Sequence, residues 1–224
     1  MTLEHKADIA FLHTAAVHIE TFNALGAELA PDLTLRHAVR DDLLSAAEKA
    51  GLVTPVLEMR TEEALMALSD ESGGVVVCTC STLGASAEAL AGETGRPFMR
   101  IDRAMADLAV REGRRIGVAA CVLTTVPNTQ TLIRSSAARA KREIELTTFM
   151  FDDVWTLFRE GRLDDYYEGI AQRLAKAAGD VDVIVLAQAS MAPAAALCKG
   201  LSVPVLSSPR AGFEAAVRLA RESR

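Results

Sequence analysis

The sequence predicts an α/β protein whose parallel sheets are covered by helices. Three observations carry this prediction. Half of the 224 residues are hydrophobic but only 4% are aromatic, so the core must be built from Ala, Val, Leu and Ile. That composition suits parallel sheets under helices better than an aromatic-rich β-sandwich. Short apolar runs bounded by Gly, Pro, Asp or Thr alternate with longer helical patterns, which implies right-handed crossovers between parallel strands. Finally, Val77-Cys78-Thr79-Cys80-Ser81-Thr82-Leu83 can be laid over Val185-Leu186-Ala187-Gln188-Ala189-Ser190-Met191. Each is a hydrophobic strand running into a small polar turn that opens a helix. The echo predicts two related halves with Cys80 and Gln188 at matching points, although a shared strand-turn-helix grammar produces the same likeness by chance.

In chain order, the first strand is read over 7–13, ahead of Thr14, with a helix over 19–29. A second strand over 33–39 leads to helices over 41–50 and 61–69. The third strand, 75–80, emerges from Gly73-Gly74 and runs into a helix over 85–91. A short fourth strand over 98–101 follows Pro97 and ends at Asp102. No low-complexity linker occurs, so the domain boundary must be tight, and 101–104 is its best candidate. A fresh series then opens with a helix over 104–111 and a strand over 115–121 behind Gly113. It continues with a helix over 129–140, a strand over 143–148, a helix over 165–178, a strand over 183–187 and a helix over 192–199. A strand over 203–206 and a helix over 211–221 close the chain. The carboxyl ends of parallel strands cluster, and ligands bind just outside them.

Net charge is −6, and no Lys/Arg cluster runs beyond the stretch from Arg139 to Arg142, so such a surface repels phosphate backbones and nucleic acid is not an expected partner. The stretch from Met1 to Asp8 carries His, Lys, Glu and Asp before its first apolar run, unlike a signal peptide, and no 18-residue apolar stretch exists to span a membrane. Four cysteines, Cys78, Cys80, Cys121 and Cys198, are too sparse for a secreted disulfide framework and read as reduced cytoplasmic thiols. Cys78 and Cys80 lack a nearby His or Cys that would complete a zinc set, so no metal is expected. The glycines form neither a dinucleotide fingerprint nor a P-loop.

The most informative segment is 75–88. A buried strand ends in Cys80-Ser81-Thr82, and Ser81 or Thr82 is positioned to cap the following helix. A thiol there meets the positive end of a helix, which lowers its pKa. Ser81, Thr82 and free backbone N–H groups could hold a carboxylate beside it. Cys78, deeper in the strand, reads instead as a small buried hydrophobe, and Cys198, inside a helix, reads as core. Cys121 ends its strand either as a pocket-facing thiol or as a small filling residue. His13 ends the first strand as a carboxylate ligand, an acid/base or a loop cap. No comparable case arises for His5, His18 or His37. Trp155, Phe158, Tyr166 and Tyr167 read as a helix-packing or subunit-contact cluster. Arg210 reads as a solvated cation or as a partner for an anionic ligand.

These motifs resemble the aspartate/glutamate racemase superfamily over nearly the whole chain. Members carry Cys-Asn-Thr after a first-half strand and a second cysteine after the matching second-half strand. Here Cys80-Ser81-Thr82 matches the first motif, with Ser81 in the Asn place, and Gln188 stands where the second cysteine is expected. Ile9-Ala10-Phe11-Leu12-His13-Thr14 is similar to the opening strand and substrate loop, and Arg115-Ile116-Gly117-Val118-Ala119-Ala120 to the strand opening the second half. Thr124 and Thr125 follow where the family places ligand-facing threonines. Val203-Pro204-Val205-Leu206-Ser207-Ser208-Pro209 resembles the final strand, whose helix returns to the first half.

The resemblance implies two similar subdomains related by a pseudo-twofold, each a four-stranded parallel sheet flanked by helices. They would span residues 1–101 plus 206–224 and residues 102–205, with the active site between them. It also implies thiol acid/base chemistry beside the carboxylate of a small acid, without metal or pyridoxal, in a homodimer or larger homo-oligomer. Cys80 would be the catalytic thiol. Cys121 and His13 are candidates for a second acid/base, because an amide such as Gln188 is neither acid nor base near neutral pH. The substrate would be held by Thr14, Ser81, Thr82, Thr124, Thr125, Gln188, Ala189 and Ser190. Three functions follow: a racemase-type isomerase, a single-cysteine decarboxylase resembling the arylmalonate branch, and a carboxylate-binding protein without turnover. In the arylmalonate branch the retained cysteine is the second one, so this chain would be its mirror case.

Overall fold

The computed structural model describes residues 7–223; the reading of residues 1–6, His5 among them, lies outside the described residues. The chain divides into two compact units, Met1–Ile101 with Pro209–Arg224, and Asp102–Ser208. Each unit holds one four-stranded parallel sheet.

In the first unit the strands are β1 (Ile9–His13), β2 (Leu35–Val39), β3 (Val75–Cys78) and β4 (Phe98–Arg100), in the order β2-β1-β3-β4. Successive side chains of a strand face opposite sides. Ala10, Leu12, Val76 and Cys78 therefore pack on one face with Leu43, Leu65 and Leu83. Those partners come from α2 (Asp41–Ala50), α3 (Pro55–Ser72) and the turn before α4 (Gly84–Thr94). Ile9, Phe11, Val75 and Val77 pack on the other face with Phe22 and Phe213, from α1 (Val17–Leu29) and α9 (Ser208–Glu222). Both sheet faces are covered, and this is why the strands read as near-continuous apolar runs. At Gly212 of α9 a Cβ would collide with the Ile101 carbonyl, so glycine is what allows that helix to approach.

In the second unit β5 (Arg115–Ala120), β6 (Glu145–Met150), β7 (Val183–Leu186) and β8 (Val205–Ser207) repeat the arrangement in the order β6-β5-β7-β8. Ile116, Val118 and Val185 pack with Met105 and Leu132, from α5 (Arg103–Glu112) and α6 (Thr125–Ala140). Ala119, Ile184 and Leu186 pack with Tyr166, Ile170 and Leu174 of α8 (Leu163–Ala177).

Several boundaries differ from those read off the sequence. The third, fifth and seventh strands end one or two residues early, which leaves Cys80, Cys121 and Ala187 in the turns beyond the ladder. The strand read over 143–148 lies two residues further on, at Glu145–Met150. Helix α3 begins at Pro55 rather than 61, because Pro suits a first helical position and Thr54 accepts the Leu57 N–H at 3.3 Å. The helix expected over 192–199 is instead a run of 3-10 turns over Ala189–Cys198. Pro193 inside it can donate no backbone hydrogen bond. A 3-10 turn at Asp152–Val154 and a short helix α7 (Trp155–Arg159) were not anticipated. No helix among the described residues is long and apolar enough to cross a membrane.

Candidate active site

The order β2-β1-β3-β4 reverses direction between β1 and β3, and α/β sheets bind ligands outside the strand ends at such a point. Leu12 pairs with Cys78 in register, so Thr14 and Cys80 each stand two residues beyond that pair. Four donors converge on the Cys80 sulfur: the hydroxyls of Thr14 and Thr82 and the backbone N–H groups of Thr82 and Leu83. Cys80 is buried, with 9% of its surface exposed. Burial pushes its thiol above the ordinary value, and the four donors act against that shift without overcoming it. The expected net lowering by the helix terminus is thus reversed. Cys80 rests as a thiol, inside a set of donors ready to stabilise a thiolate.

Neither Ser81 nor Thr82 caps α4. The cap is Leu83, whose side chain can make no hydrogen bond, and the Thr82 hydroxyl is directed at the Cys80 sulfur. Ser81 Oγ is buried without a hydrogen-bond partner, an unsatisfied donor of the kind a ligand oxygen completes. The turn is held from behind by Arg100, itself buried, whose Nη2 donates to the Ser81 carbonyl at 3.3 Å. A Cβ at Gly84 would stand 2.9 Å from Arg100 Nε, so the glycine makes room for the guanidinium. Arg100 was not singled out from sequence; the signal was an arginine inside an apolar strand run.

His13 is fully buried. Its Nδ1 lies 2.8 Å from Thr79 Oγ1 and its Nε2 lies 2.9 Å from His37 Nδ1, while His37 Nε2 lies 3.0 Å from Asn23 Oδ1. Burial and the neighbouring His18 and His37 hold His13 down at about 3, and burial alone holds His18 at about 4. Both ring nitrogens of His13 are therefore engaged, and the ring is neutral at neutral pH. His37, given no role from sequence, closes this chain.

In the second unit Ala119 pairs with Leu186, so Cys121 and Gln188 hold the places in their sheet that Thr14 and Cys80 hold in theirs. Gln188 Oε1 accepts the backbone N–H of Cys121 at 2.6 Å and of Val122 at 3.0 Å. Cys121 is buried, and its sulfur is hydrogen-bonded to the Tyr166 side chain. Burial, the largest influence, pushes the thiol up to about 12. Tyr166 lies 3.2 Å from Ser190 Oγ through its hydroxyl and is itself shifted upward by burial. Thr124 and Thr125 sit at the start of α6, with Thr124 Oγ1 buried and unpartnered. Ala189 is buried in the turn between Gln188 and Ser190.

The remaining candidates fall into structural places. Cys78 and Cys198 lie in core clusters. Arg210 pairs with Glu28 at 2.6 Å. Trp155 stacks on Phe158 at 4.7 Å, and Phe158 meets Tyr166 at 5.3 Å within the second unit's core. No group of three His, Cys, Asp or Glu among the described residues could hold a metal ion.

A family model for Asp/Glu/hydantoin racemases matches residues 23–216. No curated protein matches the chain. Among solved structures, glutamate racemase isoform RacE1 from Bacillus anthracis superposes with a TM-score of 0.71 at 14% identity, covering 98% of this chain and 84% of that one. Allantoin racemase from Klebsiella pneumoniae gives 0.67 at 17% identity, covering 97% and 89%. An arylmalonate decarboxylase gives 0.53 at 19% identity, covering 95% and 92%. At these identities the likeness establishes the fold.

Proposed function

Because the chain belongs to the Asp/Glu/hydantoin racemase family, we propose that it is a cofactor-independent, racemase-type isomerase acting at the carbon beside the carboxylate of a small acid. The observation that carries this reading is the convergence of Thr14, Thr82 and the Thr82 and Leu83 N–H groups on the Cys80 sulfur. In this mechanism the thiolate takes the α-proton, forming S–H, and the electron pair left on carbon delocalises into the carboxylate as an enediolate. Ser81 Oγ, buried and unpartnered, donates to that growing charge, as preorganised donors do in other enolising sites. Thr14, Thr82, Thr124, Thr125, Gln188, Ala189 and Ser190 complete the proposed substrate contacts. Cys121 or His13 serves as the second acid/base wherever both faces of the carbon are used.

A second reading is favoured by the resting state of Cys80. A thiol held protonated by burial is a proton donor, and one donor suffices when a carboxylate leaves as CO₂ and the resulting enediolate is protonated from one side. Gln188 at the second-cysteine position also supports one-sided chemistry. Binding without turnover is the third outcome. The test is proton NMR of small chiral carboxylates and of malonates in D₂O with the purified protein. Exchange or CO₂ loss that vanishes in Cys80→Ala supports an enzyme; saturable binding of the same acids with neither reaction leaves a binding protein. We further assign the protein to the cytoplasm as a homodimer or larger homo-oligomer, consistent with its four free cysteines and with exposed Leu52, Val56 and Met59. Sedimentation analysis tests the assembly, and fractionation tests the compartment.

A further inference from the structure

With Asn23 presenting its carbonyl oxygen and Thr79 donating to Leu12, the chain Asn23–His37–His13–Thr79 contains one more hydrogen bond than two neutral imidazoles can supply. We propose that His13 and His37 share one ionisable proton and, through Thr79, act as a positioning relay for the strand end that carries Cys80. Thr79 Oγ1 donates its only hydrogen to the Leu12 carbonyl at 3.1 Å, across from β3 to β1. Three contacts remain: His13 Nδ1 to Thr79 Oγ1, His13 Nε2 to His37 Nδ1, and His37 Nε2 to Asn23 Oδ1. With the Thr79 hydrogen spent and Asn23 presenting its carbonyl oxygen, each contact needs a ring N–H. Two neutral imidazoles carry two such hydrogens, whereas an imidazole and an imidazolium carry three. The complete set of bonds therefore fits a pair holding one extra proton.

A neutral pair keeps the chain in one of two ways. The Asn23 amide turns so that its NH₂ donates to His37, or the Thr79 hydroxyl swings from Leu12 to His13. A second extra proton has no place, since it would set N–H against N–H across 2.9 Å. Burial holds His37 below its ordinary value, and His13 is held far lower, so the proton enters at the half-buried His37. From α1 the chain is faced by His18, with ring centroids 6.0 Å apart from His13, and by Phe22; from β1 it is faced by Phe11, which stacks on both rings. Among the described residues the titratable groups acting on His13 are His18 and His37. Where the neutral pair draws the Thr79 hydroxyl to His13, uptake of the proton returns that hydroxyl to Leu12 and restores the tie between β1 and β3 immediately before Cys80. This inference is independent of the proposed reaction.

Nitrogen-15 NMR of the histidine rings in the native protein, titrated from about pH 8 to about pH 5, reads the proton count directly. The expected result is uptake of one proton by the pair, at His37, with a midpoint below the ordinary histidine value. Uptake of two protons, or a His13 midpoint near that of an ordinary histidine, overturns the proposal. Thr79→Val removes the acceptor for His13 Nδ1–H, two links from His37. It should lower the His37 midpoint by about one unit, a roughly tenfold loss of proton affinity, while Thr79→Ser restores it. An unchanged His37 midpoint in a folded Thr79→Val also overturns the relay. Should that variant not fold, the proton count of the native protein decides alone. Native-state turnover plays no part in either readout.

Discussion

The backbone N–H of Cys121 donates to Gln188 Oε1 at 2.6 Å, and the Val122 N–H joins it at 3.0 Å. The same pair of positions in the first unit holds Thr14 and Cys80, where a hydroxyl is hydrogen-bonded to a thiol. One strand end thus presents a polarisable acid or base inside a cradle of donors. The other satisfies its own backbone with an amide oxygen and leaves the amide NH₂ as its remaining polar group. Similar strand-turn-helix frames hold chemically unlike contents.

Replacing Gln188 with Leu should therefore destabilise the protein, because two buried N–H groups lose their acceptor. The expected loss is about 1–3 kcal/mol for each unpaired donor. Urea unfolding at neutral pH measures it, with Gln188→Glu as the variant that keeps an acceptor oxygen. A Leu variant that unfolds at the wild-type midpoint would show that the two bonds contribute no net stability.

Thr14→Val tests the donors around the thiol. Burial already holds Cys80 above the ordinary value, and the Thr14 hydroxyl opposes that shift. Removing it should raise the thiol further and slow iodoacetamide labelling at neutral pH several-fold, since the rate follows thiolate fraction and access. In the native chain, labelling of Cys80 should outpace that of Cys78, which is both deeper in the core and less exposed. Peptide mapping by mass spectrometry reads both rates. Faster labelling in Thr14→Val would mean that the hydroxyl shields the sulfur more than it stabilises the thiolate.

Acid should destabilise the fold through its buried histidines. His13 and His18 titrate in the folded chain at about 3 and about 4, against 6.5 when unfolded. Above pH 6.5 neither state binds these protons and the pair adds no pH dependence. Below it the unfolded chain binds them and the folded chain does not, so stability falls as pH falls. Between pH 6.5 and about 4 the expected slope is about 1.4 kcal/mol per pH unit for each histidine. His18→Leu should remove one histidine's share of the slope, measured by urea unfolding across that window. An unchanged slope would mean that His18 is protonated in the folded state.

Much of this architecture was legible because it rests on period and punctuation. Val75, Val76 and Val77 could only be a strand buried on both faces, and Gly73 and Gly95 end helices where glycine adopts a left-handed conformation. The family assignment rested on Cys80-Ser81-Thr82 and on the order of strands, and the matching family model and the shared fold bear it out. Long-range partners were not legible. Nothing local in the sequence indicates that Gln188 would reach back to Cys121, that Arg100 would lie under the Ser81 turn, or that His37 would meet His13. The direction of the Cys80 shift was misread because a helix terminus is visible in sequence, whereas the depth of burial that outweighs it is not. The run over Ala189–Cys198 was misread because its alanines favour a helix, whereas Pro193 and the tight turn tip it to 3-10.

The stereochemical course of exchange separates two-base from one-base chemistry. A two-base racemase delivers protons to both faces of the carbon, with solvent hydrogen entering on inversion. Gln188, whose oxygen is tied to Cys121 and Val122, can deliver none. With Cys80 as the sole acid/base, turnover of a simple chiral acid in D₂O should therefore give deuterium incorporation with retention, or no exchange at all. Inversion would require another acid, and two groups offer one. Cys121 is buried with its thiol near 12 and is linked through Tyr166 to Ser190, so it would act as a protonated donor within that chain. His13 is neutral and doubly hydrogen-bonded, so it would act by passing a proton along the His37 chain. Cys121→Ser and His13→Asn, made separately, should distinguish them, because loss of inversion with exchange surviving marks the missing acid. Gln188→Cys is the complementary variant: a gain of racemisation there would show that a second thiol is what the native site lacks. Inversion that survives removal of both Cys121 and His13 would refute the assignment of acids made here.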